Sequence, residues 1–339
     1  MTREFDSGPM MRFLQCDRLA GVPHVFVDGR GTVDSVLVLS NQPGSATPRE
    51  FLADTSAEIV LNFLRSPGYP QQIDGIDAIS NDHFDLGGLL SVWALSYPKE
   101  ALDRSGLVAE AARAGEFRRY QEDSAAQFAC LINGTASWTG TPAGRSLTGL
   151  SSVERCAVFY QDLLPLVGAM LDDIRRFDDY WFLEYTDVIR SNAMRHSGAV
   201  QIEEYPELDL AILDTPLDLH DLTRLSCSSL PRLLTIRSEN TYVLEYRYEG
   251  WVQLQSRRVL PRLDLKPLAQ RLQLFERFAG RWRSEPIDRP VARLYLDYGY
   301  GPAPSSLDRE TVVAEVIAYL QANAKNRAIQ WSPYGIRLP

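Results

Sequence analysis

Gly75-Ile-Asp-Ala-Ile-Ser-Asn-Asp-His-Phe-Asp-Leu-Gly-Gly-Leu-Leu-Ser-Val-Trp-Ala-Leu95 reads as a strand, a polar loop and a helix in one continuous run. Gly75–Ile79 is short and mostly apolar, as a buried strand is. The loop Ser80–Gly88 carries Asp82, His83 and Asp85, and Leu89–Leu95 continues as an apolar helix. Open α/β sheets bind ligands where a strand ends and a helix begins. The unpaired N–H groups of a helix start also favour an anion. The polar loop therefore lies where an α/β fold places its chemistry.

Toward the N-terminus, Val22–Val27 and Ser35–Ser40 read as strands, the second expected to be buried on both faces. The first ends at Asp28-Gly-Arg-Gly31, which lacks the spacing of a dinucleotide fingerprint and reads as a turn. Thr47-Pro-Arg-Glu50 has the form of a capping box with proline at the first helical position. Thr55-Ser-Ala-Glu58 offers a second start, and the helix should stop near Ser66-Pro-Gly68.

Toward the C-terminus, the stretch 100–133 is helical and Asn133–Leu150 is a loop rich in Gly, Thr and Ser. Ser151-Ser-Val-Glu154 caps a helix running to Ile174 that Pro165 should kink. Another helix covers Asp178–His196, and Leu208–Leu213 is a strand ending at Asp214. Beyond Ser228 the texture changes. Thr241–Tyr248 and Trp251–Leu254 alternate as a hairpin would. A helix near Leu265–Phe278, a strand at Ala292–Leu296 and a helix at Arg309–Ala322 follow. The expected fold is α/β: a mainly parallel sheet flanked by helices over residues 1–228, with a smaller C-terminal α+β domain over 229–339.

A chain of 339 residues favours two domains. With 45% apolar and 23% charged residues it has the composition of a folded globular protein. No run approaches the ~18 apolar residues of a membrane span. Met1–Asp6 has no apolar core of the signal-peptide kind, so a cytoplasmic protein without a membrane partner is expected. Cys16, Cys130, Cys156 and Cys227 are too scattered for a thiolate zinc site and read as buried small hydrophobes. A net charge of −9 argues against bulk nucleic-acid binding. The charge is uneven, however: Gly250–Arg293 holds ten basic residues against four acidic ones. That stretch is either a solvated surface or an anion-binding face. In the second case Arg257, Arg258 and Arg281 would grip the anion.

Three expected strands end in acid, at Asp28, at the Asp82/Asp85 loop and at Asp214. If they are parallel neighbours, their carboxylates converge at one sheet edge, and with His83 they suit Mg²⁺ or Mn²⁺. Aspartate is also common in turns and helix caps, which strand ends provide. Asp218-Leu-His220-Asp221 follows Asp214. His220 could be a second ligand or an acid–base group, with an ordinary pKa near ~6.5, or it could cap a helix beginning at Asp221. His24 reads as a satisfied strand residue, and His196 suits a helix C-terminus. The chain has no G-x-S-x-G elbow, so a Ser–His–Asp hydrolase has little support, and no G-x-x-x-x-G-K-[ST] phosphate loop, which excludes an ATPase of that kind.

His83-Phe-Asp85-Leu-Gly87-Gly88-Leu-Leu-Ser91 is similar to the His-x-Asp-x-Asp-Gly-x-x-Ser motif of the DHH phosphoesterase superfamily. The resemblance implies phosphodiester hydrolysis with two divalent metals, with His83 and Asp85 as metal ligands at the catalytic centre and Gly88 giving a tight turn. It covers nine residues. Gly87 stands where that family has its second aspartate, and neither a downstream Asp-His-His triplet nor the glycine-rich C-terminal motif is present. Taken whole, the chain also resembles an uncharacterised bacterial family, which implies no function. The expectation is a divergent Mn²⁺- or Mg²⁺-dependent phosphoesterase-like hydrolase for a small phosphorylated or nucleotide-like substrate. Asp28, Asp82, His83, Asp85, Asp214 and His220 would surround the metal. Two alternatives stay open. One is a non-catalytic ligand- or partner-binding protein that keeps the fold. The other is a metal-free enzyme with His83 as general base.

Overall fold

The structure is a computed structural model that describes residues 11–335. Met1–Asp6, the stretch searched for a targeting signal, lies outside the described residues. No helix among the described residues is long and apolar enough to cross a membrane. The chain divides into two compact units, Met1–Tyr185 and Thr186–Pro339.

In the first unit, β1 (Arg12–Phe13), β2 (His24–Val27), β3 (Ser35–Leu39) and β4 (Ala78–Ser80) form a sheet in the order β1-β4-β2-β3. Every neighbouring pair is parallel. β2 is internal and all four of its residues are buried, His24 among them. His24 is satisfied there, with Nδ1 2.7 Å from the Val22 carbonyl and Nε2 2.9 Å from the Ser35 hydroxyl. β3 was expected to be buried on both faces, but it is the edge strand and Val36 is 53% exposed. An apolar run does not tell an edge strand from an inner one.

The helices of this unit are α1 (Ser56–Arg65), α2 (Tyr69–Gln72), α3 (Leu86–Ser96), α4 (Pro98–Asp103), α5 (Ser105–Phe117), α6 (Asp123–Gly134), α7 (Ser152–Leu163) and α8 (Val167–Asp172). α1 begins at the second of the two expected starts, where Thr55 and Glu58 make a reciprocal capping box. Thr47 starts no α-helix. Its hydroxyl donates to the Ser40 carbonyl at 2.7 Å, and only a 3₁₀ turn at Arg49–Phe51 follows. α7 and α8 are parted by a 3₁₀ turn at Leu164–Leu166 around Pro165, the expected kink. α3 is buried at every position, as its all-round apolar sequence demands. It packs on α1 and α5. The approach of α3 to α5 depends on Gly115, where an added Cβ would lie 2.7 Å from the Leu86 Cβ. This contact sets the last turn of α5 beside the first turn of α3.

α9 (Asp178–His196) carries the chain into the second unit. There follow β5 (Gln201–Tyr205), β6 (Leu210–Thr215), α10 (Asp221–Ser226), β7 (Arg232–Arg237), β8 (Thr241–Tyr246), β9 (Arg262–Leu263), α11 (Lys266–Phe275), β10 (Arg281–Ser284), β11 (Ala292–Asp297), α12 (Arg309–Asn323) and β12 (Gln330–Trp331). Six of these strands form a sheet in the order β10-β11-β8-β7-β6-β5, in which β6 and β7 are parallel and the other pairs antiparallel. Alternate residues of β6 face opposite cores. Leu210 and Ile212 pack in the cluster with Leu268 and Val316, while Ala211 and Leu213 pack with Leu219 and Leu230.

Two expectations are corrected here. β6 does not join the parallel sheet of β2; its neighbours are β5 and β7. Trp251–Leu254 is not the second arm of a hairpin. The chain leaves β8 through a 3₁₀ turn at Tyr248–Gly250, β8 pairs with β7 and β11, and the Trp251 indole donates to the Asp288 carbonyl at 2.8 Å. The fold is thus mixed α/β, with a four-stranded parallel sheet, a six-stranded mixed sheet and a two-stranded antiparallel pair of β9 and β12.

Glu276, just past α11, ties the loop before β10 to the 305–307 segment. Its carboxylate accepts from the Ser305 hydroxyl (2.6 Å), the Ser306 N–H (3.0 Å), the Phe278 N–H (3.0 Å) and the Trp282 indole (3.2 Å). Burial opposes ionisation, yet these donors outweigh it and pull the acid from its ordinary 4.5 down to about 2. A depressed acid contributes stability above its unfolded pKa, and the contribution is lost as pH falls through the folded one. Glu276→Gln is expected to cost on the order of 1–2 kcal/mol at neutral pH, allowing for partial solvent screening. Urea midpoints of variant and wild type should converge between about pH 4.5 and 2. A gap that stayed constant with pH would refute this account.

Candidate metal centre

Asp28 and the 81–85 loop leave the carboxyl ends of β2 and β4, which are neighbours in the sheet. From β2 the chain moves one way to β3 and returns on the other side as β4, so this is a switch point of the strand order. Asp28 takes a left-handed backbone (φ 51), which aspartate tolerates better than most residues. Its N–H donates to the Leu39 carbonyl at 3.1 Å, and its own carbonyl accepts from Gln42 Nε2 at 2.9 Å. The Asn81 side chain joins the two strand ends. Its Nδ2 donates to the Val27 carbonyl at 3.2 Å, and its Oδ1 accepts the His83 N–H at 2.6 Å. Tyr160 on α7 donates to the His83 carbonyl at 3.2 Å. Asp85 is the N-cap of α3, with Oδ1 2.7 Å from the Gly88 N–H.

These constraints bring three of the expected residues together. His83 Nε2 lies 3.4 Å from Asp28 Oδ2 and 3.3 Å from Asp85 Oδ2. One potential ligand atom from each of the three falls within 4.8 Å of the other two. Asp82 occupies the other side of the ring, its Oδ1 2.7 Å from Nδ1. The site has a closed floor and an open mouth. Asp28 is 2% exposed, whereas the side chains of His83, Asp82 and Asp85 are 39%, 52% and 46% exposed.

Sequence reasoning missed Glu116, in the last turn of α5. Its Oε2 accepts from Asn41 Nδ2 at 2.8 Å, while Oε1 is shut off from solvent and has no hydrogen-bond partner. Asn41 Oδ1 accepts from the Ser56 hydroxyl at 3.0 Å, and that hydroxyl also lies 2.6 Å from Asp28 Oδ1. One chain of hydrogen bonds thus links Glu116 to Asp28.

The electrostatics follow from crowding. Burial, then the charge of Asp85, pushes Asp28 up to about 6. Burial, then Asp28 and Asp85, holds Glu116 well above the usual carboxylate range. For His83 burial disfavours the cation, but its bonds to Asp28, Asp82 and Asp85 prevail and raise its pKa. For Asp85 desolvation works upward, and the bond to His83 outweighs it and lowers the pKa. Crowding thus disfavours ionising Asp28 and Glu116 together with Asp85, and a cation among them would relieve that cost.

A cavity of about 740 Å³ adjoins His83 and Asp82. Phe13, Phe84 and Phe159 line it with Cys16, Cys156 and Arg155. Arg155 is held by backbone carbonyls, its Nη2 2.9 Å from that of Thr135 and 3.2 Å from that of Trp138. Burial raises both thiols, Cys156 to about 11, so neither is a resting thiolate.

The other expected residues belong to the second unit. Asp214 belongs to β6, and Arg309 binds its carboxylate at 2.9 and 2.8 Å. The expected convergence of Asp28, Asp85 and Asp214 on one sheet edge is therefore corrected, since β2 and β6 belong to different sheets. His220 is the N-cap of α10, its Nδ1 accepting the Leu222 N–H at 3.2 Å, so the capping alternative describes it. Arg257 donates to the Ser229 carbonyl, Arg258 is exposed on the same loop, and Arg281 is exposed on the outer strand β10.

Comparison with known proteins gives neither a curated protein nor a solved structure that matches. A family model does match, over residues 10–331 and so over nearly the whole chain. The chain belongs to that family, described as a family of unknown function, DUF6687.

Proposed function

We propose that the Asp28–His83–Asp85 cluster holds a divalent cation, Mn²⁺ or Mg²⁺. The protein would then be a divergent, DHH-like phosphoesterase-type hydrolase for a small phosphorylated or nucleotide-like substrate. One observation carries the reading: an imidazole nitrogen 3.3–3.4 Å from two carboxylates at the carboxyl ends of adjacent parallel strands. The donor set fits the ion, because carboxylate oxygens with one imidazole suit Mn²⁺ and Mg²⁺. The partnerless, buried Glu116 Oε1 beside them fits too, since such an atom calls for a proton, a water or an ion.

A bound divalent ion supplies Lewis-acid polarisation of a phosphoryl oxygen and acidifies water. The chain's own residues do the rest. Asp82 holds the proton on His83 Nδ1 and so presents Nε2 to the site, the usual carboxylate–histidine arrangement behind a metal ligand. Asn81 and Tyr160 fix the loop backbone on which His83 rides. The cavity walls of Phe13, Phe84 and Phe159 would take the apolar part of a substrate, and its volume is in the usual range for small-molecule sites. His83 as a metal-free general base is disfavoured, because the surrounding carboxylates hold its proton.

The test is Mn²⁺ titration by calorimetry, together with hydrolysis of a panel of simple phosphomonoesters and phosphodiesters with and without chelator. Binding and chelator-sensitive turnover are expected in the wild type, and both should vanish in His83→Ala. Absence of both in the wild type would remove the hydrolase reading. Binding without turnover on any substrate would favour the non-catalytic ligand-binding alternative.

A further inference from the structure

Glu116 stands outside the sequence motif, yet its position is tied to it. An added Cβ at Gly87 would lie 2.7 Å from Glu116 Oε1 and 3.4 Å from Asp28 Oδ2. The space that a side chain at position 87 would enter, in the first turn of α3, is therefore filled by a carboxylate from α5. The packing that achieves this is specific. Gly115, the residue before Glu116, is where α5 presses against Leu86. Glu116 Oε2 is anchored by Asn41, whose Nδ2 also donates to the Asp54 carbonyl at 2.8 Å, so the carboxylate is oriented. Its Oε1 is left buried and without a partner, next to carboxylates that repel it. A buried acceptor with no partner is unfavourable, and more so when charged. A cation in the cluster would offset that cost.

We propose that Glu116 is a further ligand of the cation centre, supplied from α5 through the gap that Gly87 leaves. The proposal rests on the reading of Asp28, His83 and Asp85 as a cation site. In this structure Glu116 is not one of the three residues grouped within 4.8 Å. Its Oε1 borders the same space beside Gly87 as Asp28 Oδ2, and that oxygen is the atom free to engage. Position 87 and position 116 are then two routes by which one carboxylate can reach the same space.

The experiment is Mn²⁺ affinity, measured by calorimetry and by electron paramagnetic resonance of free Mn²⁺. The proteins are the wild type, Glu116→Gln, Glu116→Ala and the double variant Glu116→Ala/Gly87→Asp. Glu116→Gln keeps shape and hydrogen-bonding capacity and should weaken binding at least about tenfold, the low end of what tuning residues of metal sites contribute. Glu116→Ala should weaken it similarly, and adding Gly87→Asp should restore most of the loss by placing a carboxylate in the vacated space. Melting curves without cation identify any variant that has lost its fold, and Glu116→Gln alone decides the matter if the alanine variants unfold. Wild-type binding with unchanged affinity in Glu116→Gln would overturn the assignment and leave the three-residue site standing. No binding in the wild type would overturn the cation centre itself, and this assignment with it.

Discussion

Asp28→Asn is expected to abolish stabilisation of the protein by Mn²⁺ and to lower cation-dependent phosphoester turnover by about 10²–10³-fold, with the fold intact. The substitution is conservative where the fold is concerned. Asparagine tolerates the left-handed backbone of this position as well as aspartate does. Its amide oxygen can still accept from the Ser56 hydroxyl that now lies 2.6 Å from Asp28 Oδ1. What disappears is the ionisable carboxyl group that Asp28 places on the dry floor of the site. Wild type at about 100 times its dissociation constant for Mn²⁺ would gain roughly 2.7 kcal/mol. The variant should gain almost none, read as a missing shift in melting temperature.

The cation-free proteins should behave in the opposite sense. Asp28 is raised from 3.8 to about 6 in the folded state, chiefly by burial. A raised acid contributes stability that is fully present below its unfolded pKa and lost as pH rises through the folded one. Without cation, wild type should therefore lose stability relative to Asp28→Asn between about pH 4 and pH 6. An Asp28→Asn variant that still shows the full Mn²⁺ shift would show that Asp28 is not a ligand.

The parts of this site that the sequence disclosed are those set by local chemistry. Asp82, His83 and Asp85 lie between a strand and a helix, and a polar loop there has few other places to point. Asp28 was legible as an acid at the end of a buried strand. Glu116 was not, because a single glutamate near the end of an amphipathic helix usually belongs to the solvated face. Only the contact of Gly115 with Leu86, together with the missing side chain at Gly87, turns it inward. A glycine beside an acid at a helix end (Gly115-Glu116), with a glycine pair elsewhere in the chain (Gly87-Gly88), was the available signal, and it is weak.

Asp214 failed for a different reason. Leu208–Leu213 has the texture of a strand buried on both faces, and that texture is the same in either sheet. Strand partners are set by long-range pairing, which periodicity does not encode. The two candidate starts of α1 show the same limit at short range. Thr47 and Thr55 carry equivalent capping signatures, but Thr47 is drawn into hydrogen bonds with Ser40, and the helix begins at Thr55.

The basic stretch 250–293 leads to the second large effect. Arg262→Ala is expected to destabilise the second unit by about 4 kcal/mol, and Arg262→Lys by more than half of that. Arg262 is 1% exposed, and no carboxylate among the described residues is bonded to it. Its guanidinium donates instead to the carbonyls of Arg247, Ile287, Arg289 and Pro290. It lies between the rings of Tyr246 and Trp331, at 5.5 and 5.4 Å. Burial lowers its pKa to about 10, still far above neutral, so the charge persists. Alanine would take this donor from the carbonyls of Ile287, Arg289 and Pro290, while that of Arg247 keeps the Gly250 N–H, and would leave a cavity; each stranded acceptor costs about 1–3 kcal/mol before relaxation. Lysine keeps the charge but has three donors on a single atom, too few and too concentrated to serve four carbonyls. The exposed Arg258 is the control: Arg258→Ala should change stability by less than about 0.5 kcal/mol. Urea unfolding followed by tryptophan fluorescence would separate the three variants. If Arg262→Ala proved as mild as Arg258→Ala, the buried arginine would be a dispensable strut, and the case for this stretch as a ligand-binding surface would reopen. The expected ordering instead makes Arg262 a cross-brace that joins β8, β9 and the loop before β11, with its charge directed to backbone carbonyls and not to an anion.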